Sequence, residues 1–221
     1  MFDETKLKNF ELLIHRRYLA RIIARYELFN KISNVEGSII ECGVHNGGGV
    51  MAWAKLSEIF EPYAIRRKVF GFDTFEGFPE VHEKDKSDIE KPPQVGDFNT
   101  QTYDDIIKAI SDFDQNRYLN QFQKIYLIKG DAKITIPQFV ENNPHIIISL
   151  LFLDFDLYEP TKTALEYFIP RMPKGSILAF DEINEKEWPG ETRAMVETFG
   201  NLNKLEIKKF HFDSNISFVI L

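Results

Sequence analysis

Acidic side chains stand at the ends of five short apolar segments, and these carboxylates are the groups in the sequence best suited to chemistry. They are Glu41, Asp73, Asp131, Asp154, Asp156, Asp181 and Glu182. Burying a carboxylate is costly unless another group pairs with it. One such acid could cap a helix, but acids at five segment ends indicate a site that holds cations or ligand hydroxyl groups.

The first segment leads into a glycine-rich loop with the sequence ECGVHNGGG, residues 41–49. Glycines let a ligand approach the backbone closely, and the N-terminus of the helix that follows presents free N–H groups. An acid at Glu41, before the glycines, suits a ligand ammonium group. The loop lacks the G-x-G-x-x-G spacing of dinucleotide-binding proteins, which disfavours an NAD(P)-dependent oxidoreductase.

Two further acids suit the remaining parts of the same ligand. Asp73 ends the second apolar segment, where a carboxylate can accept hydrogen bonds from both hydroxyls of a ribose. Asp131 follows Gly130 and is placed to receive a third portion, such as an adenine amino group. An amine, a ribose and an adenine together describe S-adenosylmethionine better than NAD.

The last two acidic ends form a second group of oxygen ligands. Asp154 and Asp156 would share one face of an extended segment because side chains alternate along a strand. Asp181 and Glu182 end the neighbouring segment. Carboxylates without cysteine suit a hard ion such as Mg²⁺. If Asp156 is not itself a ligand, its carboxylate is free to act as a base.

The elements that position these groups alternate along the chain between strands and helices. The predicted parallel strands are 38–44, 68–73, 124–131, 148–156 and 176–182, and the predicted helices are 48–61, 101–114, 135–142, 160–170 and 190–200. Nearly continuous apolar strands are typical of a parallel sheet that is covered on both faces. The pattern therefore predicts an α/β fold with a doubly wound, Rossmann-like sheet.

The two ends of the chain depart from this alternation. Segments 205–212 and 216–221 are separated by three turn-forming residues, too few for a crossover helix, and so predict an antiparallel hairpin that completes a seven-stranded sheet. Residues 1–34 form a predicted N-terminal helical segment, and 35–221 form the main domain. The arginines at 16, 17, 21 and 25 could contact a nucleotide or a phosphate, but they are interpreted as a solvated helix face.

One long stretch, residues 74–100, shows no periodicity. Structureless loops longer than about 12–15 residues in a domain are usually lids or disordered segments. This one begins where the second strand ends, at the edge of the sheet where ligands bind. It is predicted to be a lid over the site.

Composition limits the class of protein and the partners. The chain has 221 residues with a formal net charge of −7, which argues against nucleic-acid and anionic-membrane partners. A single cysteine, Cys42, provides neither a disulfide nor a cysteine-based zinc site. The longest apolar run, 146–153, is too short to span a bilayer, and the N-terminus does not resemble a signal peptide. A cytoplasmic protein is expected.

Six motifs together carry a family resemblance: ECGVHNGG, FGFDTFEGFP, KGDA, LLFLDFDLYEPT, MPKGSILAFDEI and WPGET. With them, residues 35–200 resemble the macrocin-type (sugar) O-methyltransferases, such as those that act on dTDP-6-deoxyhexoses. The most specific pair is LDFDLYEPT followed by AFDE. The resemblance implies an enzyme that uses S-adenosylmethionine and Mg²⁺ to methylate a hydroxyl group of a deoxysugar.

The resemblance also assigns roles to individual positions. It implies Asp154, Asp181 and Glu182 as metal ligands and Asp156 as the general base. Some members of the family have two successive aspartates where this chain has Asp181 and Glu182. The cofactor-binding residues implied are Glu41, Gly43, Gly47, Asp73 and Asp131.

The expected reaction is methyl transfer to a sugar hydroxyl of a nucleotide sugar or a glycoside. Mg²⁺ on the acceptor hydroxyl would lower its pKa while Asp156 takes the proton. A catechol-type O-methyltransferase acting on a phenolic diol uses nearly the same ion chemistry. A non-catalytic scaffold that binds S-adenosylmethionine would keep the same fold. The N-terminal helices suit either a homodimer contact or a cover over the cofactor.

Overall fold

A seven-stranded sheet in the order β3-β2-β1-β4-β5-β7-β6 forms the centre of the protein. The structure, a computed structural model, describes residues 8–87 and 92–221. The strands are β1 (Ser38–Cys42), β2 (Val69–Asp73), β3 (Ile125–Lys129), β4 (Ile148–Leu153), β5 (Ile177–Phe180), β6 (Lys208–Lys209) and β7 (Ser217–Ile220).

The first five strands run parallel, and β7 runs antiparallel to both β5 and β6. Strand order reverses at the centre of the sheet, since β2 and β3 extend from one side of β1 while β4 and β5 extend from the other. In open α/β sheets, ligands bind outside the carboxyl ends of the strands at this point of reversal. The predicted fold is confirmed.

The helices cover both faces of this sheet. They are α1 (Phe10–Leu13), α2 (Arg16–Ile32), α3 (Gly48–Phe60), α4 (Tyr103–Asn116), α5 (Ala132–Asn142), α6 (Tyr158–Phe168) and α7 (Pro189–Phe199), with short 3₁₀ turns at Glu83–Asp85, Ile169–Arg171 and Leu202–Lys204. None of the helices in the described residues is long and apolar enough to cross a membrane.

Two hydrophobic clusters lie on opposite faces of the sheet because neighbouring strand residues point to opposite sides. Ile39 of β1 packs into the cluster formed with α2, α3 and α4, whereas Ile40 packs into the cluster formed with α5, α6 and α7. Helix α2 contributes the buried residues Ala24 and Leu28 to the first cluster. The N-terminal segment therefore shares its core with the sheet.

The C-terminal hairpin is present, but its first strand is shorter than predicted. Strand β6 has two residues, Lys208 and Lys209, which pair with Phe218 and Ser217 of β7. It lies at the edge of the sheet, where β7 is its pairing partner. Beyond Lys209 the chain turns toward Asp213, whose Oδ1 accepts hydrogen bonds from the N–H groups of Asn215 and Ile216. Residues 210–212 therefore do not extend the pairing with β7, in spite of their apolar pattern.

The aperiodic stretch 74–100 contains one regular element in its described part, the 3₁₀ turn Glu83–Asp85. Residues 88–91 of the predicted lid lie outside the described residues. Both described portions reach the carboxyl edge of the sheet, where Phe78 and Phe98 line the same cleft.

Candidate active site

A cleft of about 270 Å³ opens at the carboxyl edge of the sheet. Seven of the nine predicted site residues line it: Gly43, Asp73, Asp131, Asp154, Asp156, Asp181 and Glu182. The other two, Glu41 and Gly47, are not among its lining residues. The fold thus gathers the acidic ends of separate strands around one space.

Gly43 lets the loops after β1 and β4 pack against each other. Its φ is +90°, a conformation that favours glycine, and a Cβ there would lie 1.8 Å from the carbonyl oxygen of Asp154. The N–H of Asp154 donates in turn to the carbonyl of Cys42. A larger residue at Gly43 would therefore separate the two halves of the cleft.

Asp73, at the end of β2, is held by the backbone of the glycine-rich loop. Its Oδ2 accepts hydrogen bonds from the N–H groups of Val44 and His45, both at 2.8 Å, and its Oδ1 accepts one from Phe75 at 2.6 Å. A carboxylate has about four lone-pair positions. Asp73 therefore keeps acceptor capacity for a ligand that enters the cleft.

Asp131 is the N-cap of α5. Its Oδ1 accepts a hydrogen bond from the N–H of Lys133 at 2.9 Å. The side chain also lines the cleft. A capping role and a ligand-binding role are compatible here because the second oxygen, Oδ2, lies 3.9 Å from Lys133 Nζ and is not used by the cap.

Glu41 lies behind the glycine-rich loop. Its side chain points to the face of the sheet covered by α2 and α3, where a Cβ on Gly49 would lie 1.8 Å from Glu41 Oε1. Burial raises the pKa of Glu41 to about 8, against the opposing positive charge of Arg25. Its Oε2 has no hydrogen-bond partner within the described residues. In this arrangement the Glu41 carboxyl packs against Gly49, at the end of the glycine-rich loop.

Asp154, Asp156 and Glu182 form a cluster of acids in the other half of the cleft. Burial raises the pKa of Asp156 well above its usual range, and the negative charges of Asp154 and Glu182 add to this shift. Burial and Asp154 likewise raise the pKa of Glu182. The two neighbouring acids, Asp154 and Glu182, thus favour the protonated form of Asp156.

The expected strand-like alternation at Asp154 and Asp156 is wrong, although both side chains line the cleft. Strand β4 ends at Leu153, and Asp156 has a left-handed conformation with φ of +62°. Aspartate is one of the residues that tolerate this region best. The left-handed turn, not the period of a strand, brings the two carboxyls to the same space.

Asp181 is bound by an arginine from the N-terminal helix. Arg21 of α2 donates from Nη1 to Oδ1 and from Nη2 to Oδ2, the latter at 3.1 Å. Its Nε lies 3.9 Å from Asp213 Oδ2. The two-fold contact to Asp181 is the geometry in which arginine binds carboxylates most strongly. Arg21 therefore belongs to the site, not to a solvated helix face.

The donor set fits a hard cation in its chemistry. Asp154, Asp181 and Glu182 offer oxygen ligands alone, and Glu182 Oε2 is buried without a hydrogen-bond partner in the described residues. Within those residues, however, no three acidic, histidine or cysteine side chains are arranged to hold a metal ion. Arg21 accounts for part of this difference because it binds both oxygens of Asp181.

Glu191 of α7 joins the two loops that carry the acidic cluster. Its Oε1 accepts a hydrogen bond from the N–H of Phe155 at 3.0 Å, and its Oε2 accepts one from Glu182 at 3.3 Å. The side chain is fully buried, and burial raises its pKa well above the usual range. Glu191 therefore fixes the spacing between the loops after β4 and β5.

The first part of the predicted lid docks on α6 and α7 through Asp85. This residue is 2% exposed, and its Oδ1 accepts a hydrogen bond from the N–H of Tyr158 at 2.6 Å. Its Oδ2 accepts one from His82. The neighbouring Lys84 pairs with Glu197 at 2.7 Å. These contacts hold the segment against the rim of the cleft.

Aromatic side chains form a cluster beside the lid. Phe78 and Phe98 approach within 5.3 Å between ring centroids, and both rings contact Trp188. Phe78 and Phe98 line the cleft directly, whereas Trp188 is not among its lining residues. The lid thus contributes apolar side chains, an aromatic wall, to the cleft that the acids also line, an arrangement suited to a ligand with polar and apolar faces.

The sequence profile of the macrocin O-methyltransferase family (TylF) matches residues 14–219. The chain belongs to this family. The match includes the glycine-rich loop, the acidic ends of all five parallel strands and the C-terminal hairpin. The family resemblance carried by the six motifs is confirmed.

The relatives of this macrocin O-methyltransferase family member include enzymes that modify sugars. A curated relative from Streptomyces olivaceus, 8-demethyl-8-(2,3-dimethoxy-alpha-L-rhamnosyl)-tetracenomycin-C 4'-O-methyltransferase, is 28% identical over 154 residues, which is 67% of this chain. The chain spans about half of that relative's length, 53%.

Solved structures of the calicheamicin methyltransferase CalS11 share the fold closely. One has a TM-score of 0.91 at 30% identity and covers 99% of this chain and 86% of its own. A second, the apo form described as a TDP-rhamnose 3'-O-methyltransferase, has a TM-score of 0.83 at 29% identity over 98% and 85%. The O-methyltransferase NovP, at 19% identity, has a TM-score of 0.68 over 91% and 79% and shows the shared fold.

In this macrocin O-methyltransferase family member, the contacts of Arg21 and Glu191 differ from what the sequence predicted. Arg17, Arg21 and Arg25 recur every four residues, a spacing that places them on one helix face. A row of arginines on one helix face, in a chain with several acidic strand ends, indicates that one of them, such as Arg21, forms an ion pair with a strand-end acid. Glu191 lies in the WPGET motif, but no spacing in the sequence indicates which loops its carboxyl would join.

Proposed function

We propose that this protein transfers the methyl group of S-adenosylmethionine to a hydroxyl group of a deoxysugar. The observation that carries the proposal is the position of Asp156 in the same cleft as Asp73 and Asp131. One half of the cleft offers acceptors for a nucleoside, and the other offers a base for the group to be methylated. Family membership supports the same reaction.

The cofactor half would consist of Gly43, Asp73 and Asp131 at the surface of the cleft, with Glu41 and Gly47 shaping the loop behind it. Asp73 would accept a hydrogen bond from a ribose hydroxyl through its remaining lone pair. Gly43 would keep the loops after β1 and β4 packed together beside the cofactor. Bound S-adenosylmethionine would supply a methyl group on a positively charged sulfur, which suits a cleft lined by acids.

The acceptor half would consist of the acidic cluster and the aromatic wall. Asp156 would receive the proton of the sugar hydroxyl, since an alcohol is a poor nucleophile at neutral pH until its proton is removed. For this role Asp156 must be ionised, and a cation held by the neighbouring acids would lower its raised pKa. Asp154, Asp181 and Glu182 would hold Mg²⁺, which when bound lowers the pKa of a coordinated hydroxyl. Phe78 and Phe98 would contact the apolar face of the sugar.

The acceptor we propose is a sugar with two neighbouring hydroxyl groups, one held near the cation and the other near Asp156. The relatives differ in whether the sugar is attached to a nucleotide or to an aglycone: the CalS11 enzyme is described with TDP-rhamnose, the S. olivaceus enzyme with a rhamnosylated tetracenomycin. A panel of TDP-deoxysugars and rhamnosyl glycosides, assayed with and without EDTA, separates the two sources. Catechols belong in the same panel, since their methylation alone would favour the phenolic alternative.

The test of the catalytic role is Asp156→Asn. Asparagine tolerates the left-handed backbone at this position, so the fold should be kept while the base is lost. We expect kcat to fall by about 10²- to 10⁴-fold, with unchanged affinity for S-adenosylhomocysteine by calorimetry.

Asp112→Asn, an exposed change on α4, is the matched control and should leave kcat unaltered. Undiminished turnover in Asp156→Asn would refute the assigned base. Absence of methyl transfer to every acceptor, with S-adenosylhomocysteine still bound, would favour the non-catalytic scaffold instead.

A further inference from the structure

Arg21 is held in place by groups on two distant parts of the chain. Its guanidinium contacts both oxygens of Asp181, after β5, and its Nε faces Asp213 in the β6–β7 turn. Asp213 is itself fixed, since its Oδ1 accepts hydrogen bonds from the N–H groups of Asn215 and Ile216 at 3.1 and 3.0 Å. The guanidinium thus has a built acceptor site and is not a freely moving surface charge.

The neighbouring arginines of the same helix face behave differently. Arg17, one turn earlier, donates to the hydroxyl of Tyr18 at the helix surface. Arg25, one turn later, lies over the rings of Trp53 and Phe152 at 6.0 and 5.8 Å, and its Nε is buried without an acceptor within the described residues. Of these three arginines, Arg21 is the one that binds a carboxylate of the cleft.

The contact places a positive charge where the site needs one. Asp154, Asp156, Asp181 and Glu182 line a single space, and mutual repulsion of carboxylates in a partly buried site must be offset by cations or by protons. The Asp181 oxygens that would bind a divalent cation are the oxygens that Arg21 now contacts. A cation at Asp181 would share these two oxygens with the guanidinium, and the two positive charges would repel each other.

We propose that Arg21 is an internal counter-ion that occupies the place of the divalent cation at Asp181, and that cation binding displaces it. The inference rests on the proposed function, which assigns Asp181 to the cation. Arg21 would then lower the affinity of the site for the cation without coordinating the cation. It also links the occupancy of the site to the N-terminal helix.

The link between cation and helix must act in both directions. If releasing Arg21 is part of the cost of binding the cation, then the bound cation weakens the attachment of the first turns of α2 by the same free energy. The second half of α2 is anchored by Ala24, Leu28 and Ile32, which are fully buried. Cation binding should therefore loosen residues 16–23 and leave the later turns unchanged.

The direct test is the affinity of Arg21→Gln for Mn²⁺, measured by electron paramagnetic resonance with Mg²⁺ as competitor. The titration is done at pH 8 without acceptor, so that turnover does not enter the measurement. Removing the competing charge should tighten Mn²⁺ binding about tenfold relative to the wild type. Arg21→Lys keeps the charge but loses the two-fold contact, and its affinity should lie between the two.

Arg17→Gln is the matched control, since it removes one positive charge from the same face without touching the cleft. Its Mn²⁺ affinity should equal that of the wild type. Equal or weaker binding in Arg21→Gln would overturn the proposal, because Arg21 would then be neutral toward the cation or would support it. Tightening of the same size in Arg17→Gln would also overturn it, since the effect would then be one of general charge.

Hydrogen exchange of the wild-type protein provides a second readout that does not depend on a variant. Adding Mg²⁺ should speed amide exchange in residues 16–23, whereas Arg21→Gln should show fast exchange there with or without Mg²⁺. Slower or unchanged exchange in the wild type would contradict displacement. If no protein bound Mn²⁺ and methyl transfer were indifferent to EDTA, this inference would fail while the proposed methyl transfer stood.

Discussion

At the scale of single residues, the site is built from carboxylates whose surroundings differ sharply. Asp73 accepts three backbone hydrogen bonds, and Asp181 is paired with Arg21. Glu41 has neither form of support at its Oε2, which is buried without a partner in the described chain. Acids with the same position at a strand end thus have different hydrogen-bond and ion-pair partners.

Glu41 should make stability depend on pH. Its pKa is raised in the folded state from 4.5 to about 8 by burial, so the folded state holds a proton that the unfolded state releases between these values. The free energy of unfolding should fall by about 1 kcal/mol per pH unit as pH rises through this window. Glu41→Gln removes this contribution.

Denaturant unfolding of both proteins at pH 5.5 and 8 measures the difference. The wild type should lose more stability than Glu41→Gln over this interval. Parallel losses in the two proteins would show that Glu41 is not the group responsible.

Glu191 should act on catalysis without touching the substrate. Glutamine in its place has a single acceptor oxygen, so one of the two N–H groups, of Phe155 or Glu182, would lose its partner. An unsatisfied buried donor costs about 1–3 kcal/mol. Glu191→Gln should lower stability by that amount and reduce kcat, because the loops carrying Asp156 and Glu182 lose their fixed spacing.

Thermal unfolding and steady-state kinetics check both effects. Glu187→Gln, an exposed change just before the same helix, is the control and should alter neither quantity. A Glu191→Gln protein with wild-type stability and wild-type kcat would rule out the joining role.

At the scale of elements, the lid is attached to α6 and α7 by polar contacts. A Cβ on Gly190, at the start of α7, would lie 2.4 Å from Asp85 Oδ1, so the absence of a side chain allows this close approach. Asp85 also accepts a hydrogen bond from the N–H of Tyr158. Tyr158 is the first residue of α6, where a backbone N–H has no partner within the helix. One buried acid therefore connects the lid with two helices.

Asp85→Ala should release this part of the lid. The N–H of Tyr158 would lose its acceptor, at a cost of about 1–3 kcal/mol, and segment 74–87 should become more accessible to proteases. Limited proteolysis with mass spectrometry locates the cleavage. Glu83→Ala, whose side chain is 89% exposed, is the control for the same turn and should leave the cleavage pattern unchanged. Equal cleavage in both variants would argue against an anchoring role for Asp85.

At the scale of the whole molecule, the N-terminal helix and the C-terminal hairpin meet at the site from opposite ends of the chain. Arg21 comes from α2, Asp181 follows β5, and Asp213 lies between β6 and β7. Helix α2 packs into the hydrophobic cluster on one face of the sheet, and that packing aims Arg21 at the carboxyl edge. The segment 1–34, expected to stand before the main domain, thus contacts one of the acids that line the cleft through Arg21.

The homodimer expected from the N-terminal helices stays a prediction. The apolar residues of these helices that remain exposed are Phe10, Leu12, Leu13, Tyr18, Leu19, Ile22 and Ile23. They lie on α1 and the first half of α2, the region to which Arg21 belongs.

Much of the fold and of the site could be predicted because its signals are local. Continuous apolar strands such as β4 alternate with amphipathic helices, and this pattern fixes a parallel sheet. Acids placed directly after such strands must then share one edge. Asp154 and Asp181 were found in this way. The short length of β6 could not be predicted from the sequence, since the length of a strand at the edge of a sheet depends on its pairing with the neighbouring strand.

The sequence by itself determined the layered α/β fold, the edge of the sheet that carries the acids, and the family. Which polar and charged groups contact each other is known only from the tertiary structure. Arg21 binds Asp181 across 160 residues, and Asp85 binds the N–H of Tyr158 across 73. The physical reason is that periodicity specifies which face of an element is buried, whereas the angle and position at which a helix packs on a sheet depend on every side chain between them.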